Sequence, residues 1–388
     1  MTMRRGFFRR HSQPVPARRD GGFAHRGVLL LAFLLLGTGS LLAETACEPP
    51  LSMKAQLQGS PKAAAYTELG VWFAGQKQFA CAADAFASSL QTDPAQPDLA
   101  HVAFMFGVSL YYSGNTGDAI AALQEAEKLG FHDIKLHIIL ATLLDASHSI
   151  KDAKDEWSAA LALDPESTTA LDALSSDLSL ENDFNGIIAL LESPRLLGQR
   201  TEQQSLRLGL AYAGTARLEE AARTLRDGLN TSPDSLALAN ELANVLVQLH
   251  RQDEAAAVLE VALAQHPQDS VTAIHYLGTL MAAQPEKAPE AARRLLLALP
   301  QNAKVLYLSG VLDMKGGNLQ QARAHLEQAL ALQPEEALSH EALGVVLAQL
   351  NEMKGAKEHL ERAIALGDNS PEVKENLAKV LRALGAGK

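Results

Sequence analysis

Residues 202–235 read EQQSLRLGLAYAGTARLEEAARTLRDGLNTSPDS, and two helical stripes lie within those 34 positions. The first is Leu208, Gly209 and Tyr212; the second is Leu218, Ala221, Leu225, Gly228 and Leu229. Steps of three and four residues put each set on one face of a helix. Gly209, Ala221 and Gly228 are small enough to let two helix backbones approach closely. Thr231-Ser232-Pro233-Asp234 stops the second helix, because proline disfavours helical backbone in the residue before it. Asp234 then opens the next helix, where a negative charge suits the positive end of the helix dipole. A hairpin of this kind cannot bury its own apolar face and must stack on neighbours.

The same beat runs through the rest of the chain. Pro94, Pro165, Pro233, Pro267 and Pro334 are separated by 71, 68, 34 and 67 residues, each close to a multiple of 34. Ala119, Ala153, Ala221, Ala255, Ala322 and Ala356 keep it with steps of 34, 68, 34, 67 and 34. Gly70, Gly107, Gly209, Gly310 and Gly344 mark a third phase, each twelve residues before an alanine. A fixed period of this length is the signature of a stacked repeat array. Two stretches depart from it. Residues 168–201 carry Ile187 where alanine is expected and meet Ser193-Pro194 early. Residues 271–302 hold Pro285-Glu286-Lys287-Ala288-Pro289 between their two helices and end early at Pro300. Proline is costly inside helices, so both read as irregular joints.

The pattern resembles the tetratricopeptide repeat family. In the first unit, 63–96, Tyr66, Leu69, Gly70 and Phe73 are followed by Ala82, Phe86, Ser89 and Pro94, which match that family's spacing. The other units begin near 100, 134, 168, 202, 236, 271, 303 and 337, and 371–384 reads as a capping helix whose Lys374, Lys379 and Arg382 solvate the last apolar face. The resemblance implies an all-α fold, a right-handed superhelical solenoid of antiparallel helical hairpins. The array then covers 63–388, behind a leader at 1–43 and a linker at 44–62.

The leader has its own chemistry. Residues 1–26 hold seven arginines and one aspartate, and 27–43 read GVLLLAFLLLGTGSLLA. An Arg-rich segment before a short apolar run and small residues is the layout of a secretory signal, so the chain is expected to be exported, periplasmic or otherwise extracytoplasmic. An uncleaved leader would instead tether it to a membrane through 27–43. Beyond residue 26 the net charge is −17, which repels phosphate backbones and excludes nucleic acid as the expected partner.

Chemistry of other kinds is missing from the sequence. Two cysteines exclude a Cys₄ zinc site or an iron–sulfur cluster. His340-Glu341-Ala342-Leu343-Gly344 begins like a zinc-protease helix but has glycine at the second ligand position. The twelve histidines are scattered, and no P-loop, haem-attachment or nucleophile-elbow motif occurs. The expectation is no catalytic residue, no cofactor and no metal. Outside the cytoplasm, Cys47 and Cys81 are expected to form a disulfide, the alternative being a partly buried thiol and a terminal one.

Function therefore falls to a surface. If the resemblance holds, the first helix of each unit lines a concave groove. Its inward positions carry His101, Phe104, Tyr111 and Tyr112 in the second unit and Asn240, Asn244 and Gln248 in the sixth, followed by His275 and Tyr307. Aromatic rings anchor an apolar side chain at low entropic cost, and amides can pair with any extended backbone. Packing between helices is the competing reading of the aromatics, and plain solvated surface that of the amides. The expected function is a non-catalytic scaffold binding a protein or peptide partner in the groove. A structural or chaperone-like subunit of an envelope complex is the alternative, and an enzyme with a groove-built site a remote one.

Overall fold

The computed structural model describes residues 47–386, with Ala386 defined by its backbone alone. The leader and its apolar run lie outside the described residues. From Pro49 onward the chain forms one compact unit. Among the described residues it is all helix, with no strand, and no helix is long and apolar enough to cross a membrane.

A single short turn, α1 (Leu51–Lys54), precedes the array. The array then runs as hairpins: α2 and α3 (Ala63–Gly75, Phe79–Thr92), α4 and α5 (Leu99–Tyr112, Thr116–Lys128), α6 and α7 (Ile134–Ala146, Ile150–Leu163). It continues with α8 and α9 (Thr168–Leu180, Phe184–Leu191), α10 and α11 (Glu202–Gly214, Leu218–Thr231), α12 and α13 (Leu236–Gln248, Gln252–Gln265). The last hairpins are α14 and α15 (Ser270–Ala283, Ala288–Ala298), α16 and α17 (Ala303–Lys315, Leu319–Leu332), α18 and α19 (Ala337–Gln349, Met353–Ala365), with α20 (Pro371–Ala386) behind them. The result is an α-solenoid of stacked hairpins.

The glycine phase explains how five of the nine hairpins close. A Cβ placed on Gly209 would sit 2.5 Å from Leu225, on Gly310 2.7 Å from Leu326, and on Gly344 2.7 Å from Leu360. In each case the leucine lies sixteen residues on, in the second helix, and is fully buried against the bare glycine backbone. Gly70 receives Phe86 in the same way. Burying one such side chain is worth roughly 1.5–3 kcal/mol, and the glycine is what makes room for it. The alanine phase lies at the same contact, where Ala322 O and Ala356 O stand 3.2 Å from a Cβ placed on Gly310 and Gly344, and Ala119, Ala153, Ala221, Ala255, Ala322 and Ala356 are all completely buried.

The turns repeat as well. Every hairpin except α14–α15 passes through one residue of positive φ at the same place, for instance Ala216 (62°), His250 (59°) and Gly317 (78°). The α14–α15 connection lacks that turn because Pro285 and Pro289 flank it, and α15 is shortened to 11 residues where most second helices have 13 or 14. In the fourth hairpin α9 is cut to eight residues, followed by a 3-10 turn at Pro194–Leu196. Proline at these two places costs helix length while the stacking continues on either side.

The closing helix uses few residues to finish the core. Val373 and Val380 are buried in the last cluster, while Lys374, Lys379 and Arg382 remain exposed. Neither described cysteine is a free thiol, and Cys81 is buried in α3.

Candidate functional site

Helix α4 is unusually aromatic, and its rings divide by depth. Val102, Ala103, Gly107 and Leu110 take the buried stripe. That leaves His101 and Tyr112 exposed, with Tyr112 at 58%. Phe104 and Tyr111 are half-buried and pack on the core beneath. Two stacks extend the face beyond α4. Phe104 lies against Phe131, in the loop before α6, with centroids 4.4 Å apart, and His101 stands 5.6 Å from the same Phe131 ring. Tyr112 stacks on Phe79, the first residue of α3, at 4.8 Å, and Tyr111 stands beside it at 4.9 Å. Rings from two consecutive hairpins and the loop that follows them thus form a strip along one first helix.

The amides of α12 behave differently. Asn240 is half-buried, and its Nδ2 donates to Leu236 O at 2.8 Å and to Thr272 Oγ1 at 2.7 Å. His275 Nδ1 donates to Asn240 Oδ1 at 3.1 Å. Thr272 and His275 belong to α14, so this amide joins the sixth hairpin to the seventh. The burial that allows this also pushes the His275 imidazole below its ordinary pKa. Asn244 is exposed, and its Nδ2 donates to Glu241 on its own helix at 3.1 Å. Gln248 is exposed at the end of α12. In place of an open ladder there is one amide spent on packing and two at the surface.

Tyr307 is half-buried on α16, with the Lys304 ammonium 4.4 Å above its ring. Burial, with Glu336 and Glu341 nearby, raises its phenol pKa. The expected site residues therefore separate into an aromatic group in the second hairpin, an inter-hairpin bond in the sixth and seventh, and an isolated ring in the eighth. Phe79 and Phe131 are the functional candidates that the sequence pattern missed. One starts a second helix and the other sits in a loop, so neither falls at an inward position of a first helix.

Two further groups of titratable side chains stand apart from these. His340, the residue that begins the incomplete zinc-protease motif, donates from Nε2 to Pro334 O at 3.0 Å. Its bare Nδ1 accepts from His359 Nδ1 at 2.9 Å, and burial followed by the nearby His340 pushes His359 below its ordinary pKa. A cleft of about 370 Å³ beside α15 is lined in part by Glu260, Tyr276 and Arg294. There Arg294 bridges Glu260 Oε1 at 3.1 Å and donates to the Tyr276 hydroxyl at 3.5 Å, an ion pair that ties α15 to α13.

A tetratricopeptide repeat family model matches residues 206–270 and 307–372. A human FK506-binding protein-like protein is 37% identical over 70 residues, 18% of this chain, and the chain spans about 20% of that relative's length. Among solved structures, MamA from Desulfovibrio magneticus RS-1 is 20% identical with a TM-score of 0.38, covering 44% of this chain and 97% of its own. Pseudomonas aeruginosa pilF is 19% identical with a TM-score of 0.39, covering 48% and 93% respectively. TTC0263, a thermophilic protein of Thermus thermophilus with the same type of repeat, is 19% identical with a TM-score of 0.36, covering 47% and 99%.

Proposed function

We propose that this chain, a tetratricopeptide-repeat protein, is an exported, non-catalytic scaffold that holds a segment of a protein partner on the aromatic face of α4. Stacked helical repeats offer long surfaces and carry no chemistry of their own, so their function lies in what those surfaces bind. The observation that carries the reading is Tyr112, a tyrosine 58% exposed and held in place by its stack on Phe79. An exposed ring whose position is already fixed loses little entropy on binding, which is the character of an interface anchor. The acidic body, net −17 beyond residue 26, favours a partner segment carrying basic residues beside an apolar anchor. The Arg block and Leu run before residue 43 support export as the setting for that encounter.

Crosslinking and pull-down from native envelopes tests the binding. The wild-type chain should retain a defined protein that Tyr112→Ala loses, while both proteins melt together. A captured set identical for the two proteins would remove the α4 face from the interaction. Export is tested separately with a reporter active only outside the cytoplasm, fused after residue 60. Activity should disappear when residues 1–43 are deleted, and equal activity with and without them would mean the leader does not direct export.

A further inference from the structure

We propose that Glu127, His137 and Glu156 form a binding site for a divalent transition-metal cation of the zinc class, which clasps the second hairpin to the third. Three helices supply one residue each: Glu127 the last turn of α5, His137 the first turn of α6, and Glu156 the middle of α7. A ring nitrogen and one oxygen from each carboxylate all lie within 4.8 Å of one another. His137 Nδ1 is 2.7 Å from Glu156 Oε2. His137 is only 5% exposed, and both carboxylates are partly buried.

An ion pair between His137 and Glu156 accounts for only part of this. Such a pair leaves Glu127 as a second carboxylate with no cation of its own among the three, and the cluster keeps a net negative charge whether or not the imidazole is protonated. A dication meets all three demands at once, neutralising both carboxylates and using the imidazole lone pair. One imidazole nitrogen and two carboxylate oxygens are ligands that zinc accepts at roughly 2.0–2.2 Å, with water in the fourth position. Two ligands on one four-coordinate ion of this kind stand about 3.4 Å apart, so the His137–Glu156 pair opens from 2.7 Å and the half-exposed Glu127 rotates inward to close the set. His137 is already fixed by its burial on α6, so the ordering left to do is slight.

The test uses the full chain, stripped with a chelator and titrated with Zn²⁺ by calorimetry and with Co²⁺ by visible absorption. One equivalent should bind, with the intense d–d bands of a four-coordinate cobalt. Glu127→Gln, which alters only a half-exposed surface carboxylate, should weaken binding at least tenfold with its metal-free melting midpoint unchanged. Glu156→Gln should weaken binding likewise, with some loss of metal-free stability because it alters the bond to His137, and Zn²⁺ should raise the midpoint of the wild type but not of either variant. His359→Gln, which breaks the His340–His359 pair, should bind like the wild type. No binding up to about millimolar Zn²⁺ would overturn the proposal. So would wild-type affinity in Glu127→Gln, or loss of the bound equivalent in His359→Gln.

Discussion

The second and sixth hairpins place polar and aromatic side chains at corresponding positions of their first helices, yet the two surfaces are built for different tasks. On α4 the rings lie over their own core and leave Tyr112 open to solvent. On α12 the most prominent amide, Asn240, reaches across to α14 and is consumed by Thr272 and His275. Position on a first helix therefore decides which way a side chain leans, whereas its neighbour one repeat away decides whether it stays free. A groove in a repeat array is a set of positions left over after adjacent units have taken what they need.

That contrast can be tested by substitution. Tyr112→Ala should cost about 2 kcal/mol of partner binding, the scale of an interface hot spot, and leave the melting midpoint nearly unchanged. Binding affinity measured beside thermal melts checks it. Asn240→Ala should do the reverse. Removing the amide leaves the Thr272 hydroxyl and the His275 ring, both inside the array, short of a partner, so stability should fall by roughly 1–2 kcal/mol while binding holds. A denaturant titration reads the loss. Should Tyr112→Ala melt early and Asn240→Ala abolish binding, the assignments of the two hairpins would have to be exchanged.

The bond between the sixth and seventh hairpins also has a pH signature. Burial lowers the His275 pKa in the folded protein relative to the unfolded chain, so the unfolded state binds more protons as pH falls. The stability associated with neutral His275 is present above about pH 6.5 and is lost as pH drops through the lower folded value. His359 is displaced in the same direction and adds to the loss. Melting midpoints from pH 7.5 to 5 should fall in the wild type and fall less in His275→Gln. Asn244→Ala, at the small end, should change stability by less than about 0.5 kcal/mol, because its exposed amide bonds only within its own helix.

How far these features can be read from sequence follows from their range along the chain. The hairpins are legible because their signals are local: Gly209 and Leu225 are sixteen residues apart, and Gly70, Gly107, Gly310 and Gly344 repeat the arrangement in four other units. Pro285 and Pro289 mark the shortened α15 for the same reason. Asn240 is harder to read because two of its three partners lie 32 and 35 residues on, in another unit, where nothing in the i, i+4 pattern points to them. Phe131 was hidden in a loop, and its stack on Phe104 depends on how α6 enters the array. Glu127, His137 and Glu156 look unrelated in sequence, since no shared helix face holds them and only the packing of α5, α6 and α7 brings them together.

A photo-crosslinking amino acid placed in turn at positions 112 and 248, both exposed on first helices, compares the two hairpins under the same conditions. The full chain would be irradiated in native envelopes and its adducts identified by mass spectrometry. Binding on the α4 face predicts a single dominant protein adduct from position 112, weakened by Phe104→Ala, and little from position 248. Equal adducts from both positions, or a dominant adduct from position 248 alone, would contradict it.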